Sequence, residues 1–144
     1  MTDAVTRPSL KLTHAAALKA QTAAVAKAEE IGWHVNVIIV DEGGNLLAAV
    51  RMDEAKFLSV ATATHKAMSA ASHRRPTTEI DAELATSLAL ASNGKLTNMA
   101  GGLPIVIDGV CVGGIGIGSA PDDEDVAIAR AGLAALGAAE RMPD

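Results

Sequence analysis

The chain has 144 residues and a formal net charge of -5, and 49% of them are apolar against 1% aromatic. That length reads as one domain spanning 1–144, with a core of about 10–141, and the apolar share is ample to fill it. The basic run Arg74-Arg75 is short and stacking residues are nearly absent. Both facts speak against nucleic acid and against a membrane surface held by charge. No apolar stretch reaches ~18 residues and the N-terminus lacks a signal-type apolar region, so a cytoplasmic chain without a membrane span is expected. The single cysteine, Cys111, sits in an apolar run and reads as a buried, inert thiol.

In chain order, residues 1–11 read as a short tail. Thr13 is placed to cap a helix that runs to about Ile31 and ends at Gly32. At about 100° per residue, Ala17, Leu18, Ala24, Val25 and Ala28 share one broad face, and His14 and Gln21 fall inside it. His14 is therefore expected on the buried side, as a hydrogen-bonded core residue or a ligand to a bound group. Trp33–Asp41 reads as a strand, Glu42–Asn45 as a turn, and Leu46–Met52 as the return strand of an antiparallel hairpin. Arg51-Met52-Asp53 lies where that strand ends. Arg51 there is suited to hold a carboxylate bidentately, or to pair locally with Asp53.

A second helix is predicted from about Phe57 to Ser72, stopped by Arg75-Pro76. Val60, Ala63, Ala67, Ala70 and Ala71 make its apolar face. Ser59, Thr62, His65, Lys66, Ser69, Ser72 and His73 make the opposite side. That side lacks the long charged groups usual on a solvated face, so it is read as facing a partner subunit or a polar ligand, with plain solvent as the alternative. His73, Arg74 and Arg75 offset the negative helix end and are also suited to a carboxylate. Thr77 or Thr78 caps a further helix to about Ala91, and Asn93-Gly94 opens a loop reaching Gly102.

Residues 103–118 form a second hairpin about Asp108-Gly109, a turn whose two central residues need positive φ. Gly114, Gly116 and Gly118 recur with period two and leave one strand face bare. That face admits a backbone, a helix or a flat ligand. Ser119 is the expected cap of the last helix. The carboxylates of Asp122, Asp123, Glu124 and Asp125 complement its positive end better than they make a metal site. The order helix, hairpin, helix, helix, hairpin, helix is not the alternation of a parallel sheet. It predicts an α/β (α+β) fold with a mainly antiparallel sheet built from two hairpins and covered by helices. Cys-x-x-Cys, His-Glu-x-x-His, Walker, nucleophile-elbow and dinucleotide motifs are missing, and no metal site is expected.

Read together, Val40-Asp41-Glu42-Gly43-Gly44-Asn45-Leu46, Arg51-Met52-Asp53-Glu54-Ala55, His65-Lys66-Ala67, Gly101-Gly102-Leu103-Pro104 and Ile115-Gly116-Ile117-Gly118 resemble the GlcG/HbpS-like haem-binding, or haem-degrading, family. The C-terminal domain of the corrinoid adenosyltransferase of propanediol utilisation belongs to that family. The resemblance covers roughly residues 10–140. Two departures stand out: Ile117-Gly118-Ser119 where many members have Val-Ser-Gly, and Ala100 in the first place of a Gly-Gly-Gly. The resemblance implies a profilin-like three-layer fold and homo-oligomers, often octamers. It implies a protein binding haem or a related tetrapyrrole. From the helix faces, His14 or His65 is the expected iron ligand, and Lys66, Arg51 and Arg75 are expected to meet propionates. The competing expectation is a cofactor-independent lyase or isomerase on a small aromatic or carboxylic acid, similar to a hydroxylaminobenzoate lyase, with His65 and Lys66 catalytic. A structural, oligomer-forming domain is the third. A ligand site is expected where Arg51, Asp53, His65 and Lys66 meet the Gly101-Gly102 backbone, and its cations suit an anionic ligand.

Overall fold

In the computed structural model, which describes residues 3–144, the elements follow as α1 (His14–Ile31), β1 (Asn36–Asp41), β2 (Leu46–Arg51), α2 (Ser59–His73), a 3-10 turn (Thr77–Glu79), α3 (Ala85–Ala91), β3 (Gly102–Ile107), β4 (Val110–Gly118) and α4 (Asp122–Leu136). The α1 termini are the ones the sequence predicts. Thr13 Oγ1 accepts the Ala16 amide at 3.0 Å, and Gly32, at φ 82°, closes the last turn on the Ala28 and Glu29 carbonyls. The four strands form one sheet in the order β2-β1-β4-β3, and every pair is antiparallel. Asp108 and Gly109 take φ 50° and 76°, the left-handed pair that the turn between β3 and β4 requires.

Three layers result. Val37, Ile39, Ile115 and Ile117 point to one side, under α1 and α4, and Ile38 and Val40 point to the other, under α2. The bare face of β4 is filled by α2. A Cβ on Gly114 would stand 2.2 Å from the Ala67 carbonyl oxygen, and one on Gly116 would stand 2.0 Å from that of Ala63. The glycines at alternate positions thus serve close approach of a helix backbone, and that face leaves no space for a flat ligand.

Several expectations are corrected. The first strand begins at Asn36, not Trp33, which is exposed. The helix expected through Ala91 is broken. Ile80 is extended, at φ -74° and ψ 130°, to bury its side chain, and Asp81 Oδ1 takes the Glu83 amide at 2.8 Å before α3 starts. The last helix has Pro121, not Ser119, at its cap position, with no side-chain cap bond. Ser119, at φ 98°, instead accepts the Lys56 amide through Oγ at 2.9 Å and ties the entry of α2 to the entry of α4. The buried face of α1 is an alanine stripe of Ala17, Ala20, Ala24 and Ala28, because α4 approaches closely there, with Gly132 against the Ala20 backbone. Leu18 is 50% exposed and His14 is exposed, so His14 is not on the buried face where the periodicity put it.

Candidate functional site

Lys66 and Ser69, assigned to the outward side of α2, are buried beside Ala63, Ala67 and Ala70, and Val60 is exposed instead. Lys66 Nζ donates to the Ile117 carbonyl at 2.8 Å and to Asp125 Oδ2 at 3.2 Å. The other carboxylate oxygen of Asp125 accepts the Ala120 amide at 3.2 Å. Both side chains are almost wholly withdrawn from water. Burial outweighs the attraction of Lys66 and pushes the Asp125 carboxyl up to about 6. Of the four acidic groups at the start of α4, Asp125 is therefore a core ion-pair partner and not helix-end electrostatics. Its signal in the sequence was its spacing: Asp125, Ile128, Ala129, Gly132 and Leu133 lie on one helical face, and all are buried.

Gly101 and Gly102 do meet Lys66. A Cβ on Gly101, at φ 114°, would lie 3.2 Å from Lys66 Nζ, and one on Gly102 would lie 2.4 Å from the Lys66 carbonyl oxygen. Thr77, fully buried, clamps the same segment. Its hydroxyl donates to the Met99 carbonyl at 2.5 Å and accepts the Gly102 amide at 3.2 Å. Ser69 fixes the preceding loop, donating to the Lys95 carbonyl at 3.0 Å and accepting the Thr97 amide at 2.9 Å. Thr77→Val keeps the shape and strands these backbone groups, so it is expected to cost about 1–3 kcal/mol in urea unfolding. A midpoint equal to wild type would show that the clamp contributes nothing.

The other expected site residues do not join this node. Arg51 is exposed at the end of edge strand β2, paired in register with the buried Asn36, and Asp53 is exposed after it. Among the described residues Arg51 and Asp53 form no ion pair with each other. His65 is half-buried on α2. Arg75 is exposed at the far end of α2, where it lines a cavity of about 620 Å³ with His73, Arg74 and Arg141, the last paired with Glu79. His14 and His65 lie on helices covering opposite faces of the sheet, so one protomer does not bring them to one ligand. Cys111 is half-buried, burial pushes its thiol up, and Sγ approaches the Gly113 carbonyl at 3.4 Å.

The exposed side of α1 was not anticipated as a site. Ala15, Leu18, Lys19, Thr22, Ala23 and Ala26 line an open groove of about 590 Å³ whose far wall is Ala135 of α4. His14 stands one turn before Leu18, at the margin of the groove and outside the residues that line it. The groove floor is mostly alanine, so a flat surface can approach the helix backbone closely. Among the described residues no three His, Cys, Asp or Glu side chains converge on a metal position. No helix among them is long and apolar enough to cross a membrane.

A four-stranded antiparallel sheet with α1 and α4 on one face and α2 on the other defines a three-layer α+β protein with an apolar groove on its outer helices. The chain belongs to the family of haem-degrading HbpS-like proteins, whose pattern matches residues 12–134. It is 33% identical over 92 residues to the protein GlcG of Escherichia coli (strain K12), covering 63% of this chain and 69% of GlcG. A double mutant of Streptomyces reticuli HbpS has the same fold, with TM-score 0.83 and 40% identity over 95% of this chain and 94% of that one. A complex of PduOC with haem matches at TM-score 0.85 and 27% identity, over 92% of this chain and all of that one.

Proposed function

We propose that this chain binds haem or a related tetrapyrrole on the exposed face of α1. The observation that carries the reading is His14, exposed one turn from an alanine-floored apolar groove. The family and the haem complex of PduOC support it. The residues present fit such a group. A histidine side chain is a common iron ligand, the small side chains admit a planar ring, and the Lys19 ammonium at the groove suits a propionate. Lys66 is withdrawn from that role, because Ile117 and Asp125 already hold it. Haem, when bound, supplies a redox-active iron; the chain supplies the ligand, the apolar seat and the cation. The groove is open on one side, so a second copy of the chain closes it, and the working form is a homo-oligomer. The lyase or isomerase reading loses Lys66 as a catalytic group, because Ile117 and Asp125 hold it, and is the second reading here.

Haemin titrated into the purified protein should give a saturable Soret shift, and light scattering should give a mass several times 14.6 kDa. Leu18→Glu places a charge on the groove floor and should abolish saturable binding while thermal unfolding stays near wild type. A monomeric wild type with no saturable shift would overturn the reading.

A further inference from the structure

We propose that the end of the sheet carrying Trp33, Phe57 and Leu58 is an interface that takes a second copy of this chain about a two-fold axis. This surface lies beyond the C-terminal end of α1, apart from the groove along that helix. It does not rest on the tetrapyrrole reading.

The chain has one Trp, one Phe and no Tyr. Its core is built of aliphatic side chains and Met52, and neither aromatic group enters it. Trp33 is 38% exposed, Phe57 75% and Leu58 74%. The two segments that carry them meet at one end of the sheet. Met52 donates its amide to the Val35 carbonyl at 3.0 Å, and His34 Nε2 stands 3.6 Å from Glu54 Oε2. A single exposed apolar residue is ordinary. Large ones gathered in one place mark a contact surface for another protein, and aromatic groups beside an arginine are the usual anchors of such contacts. Arg51 is that arginine, exposed at the end of β2.

The backbone directly before Phe57 is fixed from both sides. Lys56 donates its amide to Ser119 Oγ at 2.9 Å, and its carbonyl accepts Asn36 Nδ2 at 2.9 Å. Asn36 is a fully buried polar side chain, and Ser119 takes φ 98°, which L residues rarely adopt. A buried amide and a strained serine thus hold Phe57 and Leu58 out in one conformation. Little ordering is left for a partner to impose.

Charge selects a second copy as that partner. The net charge of the chain is -5, so most of its surface repels its own kind. This end is balanced instead: Arg51 and Lys56 stand against Asp53 and Glu54, and all four are exposed. Among the described residues Arg51, Asp53 and Lys56 make no ion pair. A two-fold axis beside the end of β2 sets Arg51 against the partner subunit's Asp53, and Asp53 against the partner subunit's Arg51. One favourable pairing is then made twice, around an apolar centre. A strongly acidic or strongly basic partner would meet like charges here.

Trp33, the single Trp of the chain, is the reporter for the test. The full chain is diluted without haemin while light scattering and Trp33 emission are followed together. The mass should fall by half in one step, and the emission should shift to the red across the same step. Arg51→Asp and Asp53→Arg should each weaken self-association at least tenfold with circular dichroism unchanged. The double variant restores the pairing with its signs exchanged and should return to within about threefold of wild type. Phe57→Ser removes an anchor without touching a charge. It should also weaken self-association at least tenfold, and it stands in if a charge variant misfolds. A fall in mass with no change in Trp33 emission would assign self-association to another surface and overturn the proposal. So would a monomeric wild type, or a double variant as weak as its two parents. Haemin is absent throughout, so these outcomes are separate from those of the haemin titration.

Discussion

Gly116→Val is expected to lose about 3 kcal/mol or more of stability, the upper range for overpacking a filled core. Its Cβ position lies 2.0 Å from the Ala63 carbonyl oxygen and 2.6 Å from the Ala67 amide nitrogen, both backbone atoms of α2. No side-chain rotation relieves that contact, so the whole helix must lift off β4. As it lifts, Ile38 and Val40 lose their cover. At roughly 2–4 °C per kcal/mol for a domain of this size, the melting temperature should fall by about 6–12 °C. Ile117→Val, one position along the same strand, is the control and should cost about 0.5–1.5 kcal/mol. A Gly116→Val midpoint near the control's would mean that α2 does not lie against β4 as described.

The second large effect is expected at the buried ion pair. Lys66→Met leaves the Asp125 carboxylate without its cation in a site closed to water, which should cost about 3–5 kcal/mol at pH 7. The penalty should depend on pH in a defined direction. In the folded wild type the Asp125 carboxyl stands at about 6, above its ordinary value of 3.8. The folded state therefore holds this proton more tightly than the unfolded state does. Its contribution is fully present below about 4 and is lost as pH rises through about 6. Removing Lys66 removes an attraction that opposes burial, so the carboxyl rises further. The gap between Lys66→Met and wild type in urea unfolding should therefore narrow from pH 7 to pH 5. Adding Asp125→Asn should recover most of the loss at pH 7. A penalty that is the same at both pH values, or that widens in acid, would show that the carboxylate is hydrated or paired elsewhere.

The fold was legible because its punctuation is local. Thr13 and Gly32 bound α1, Asp108-Gly109 turns β3 into β4, and the alternate glycines mark where a helix comes close. What was not legible depended on which of two neighbouring angular sectors of a helix is buried. Small residues all round α1 and α2 give little contrast, so the faces were set several tens of degrees off. Close approach at Gly132 chose the alanine stripe of α1 and turned Leu18 and His14 outward. On α2 the residue types of Lys66 and Ser69 predict outward groups. The sheet end instead offered them the Ile117 carbonyl, Asp125 and the 95–97 backbone. A side chain's type predicts exposure only until a buried partner exists, and Asp125 lies 59 residues from Lys66 in sequence. The convergence of Arg51 and Asp53 on Lys66 failed for a simpler reason. Both belong to the exposed end of edge strand β2, whereas Lys66 faces the β3 and β4 ends.

The most direct test of the central claim is the absorption spectrum of haemin-loaded protein in His14→Ala and His65→Ala, side by side with wild type. Both substitutions spare the buried pair, and the two residues lie on opposite faces of the sheet, so the comparison separates the two faces. The account predicts that His14→Ala loses the saturable Soret shift, or changes the ligand-sensitive visible bands, while His65→Ala keeps the wild-type spectrum. A wild-type spectrum in His14→Ala, with the shift lost in His65→Ala, would place the ligand on the α2 face and contradict the account.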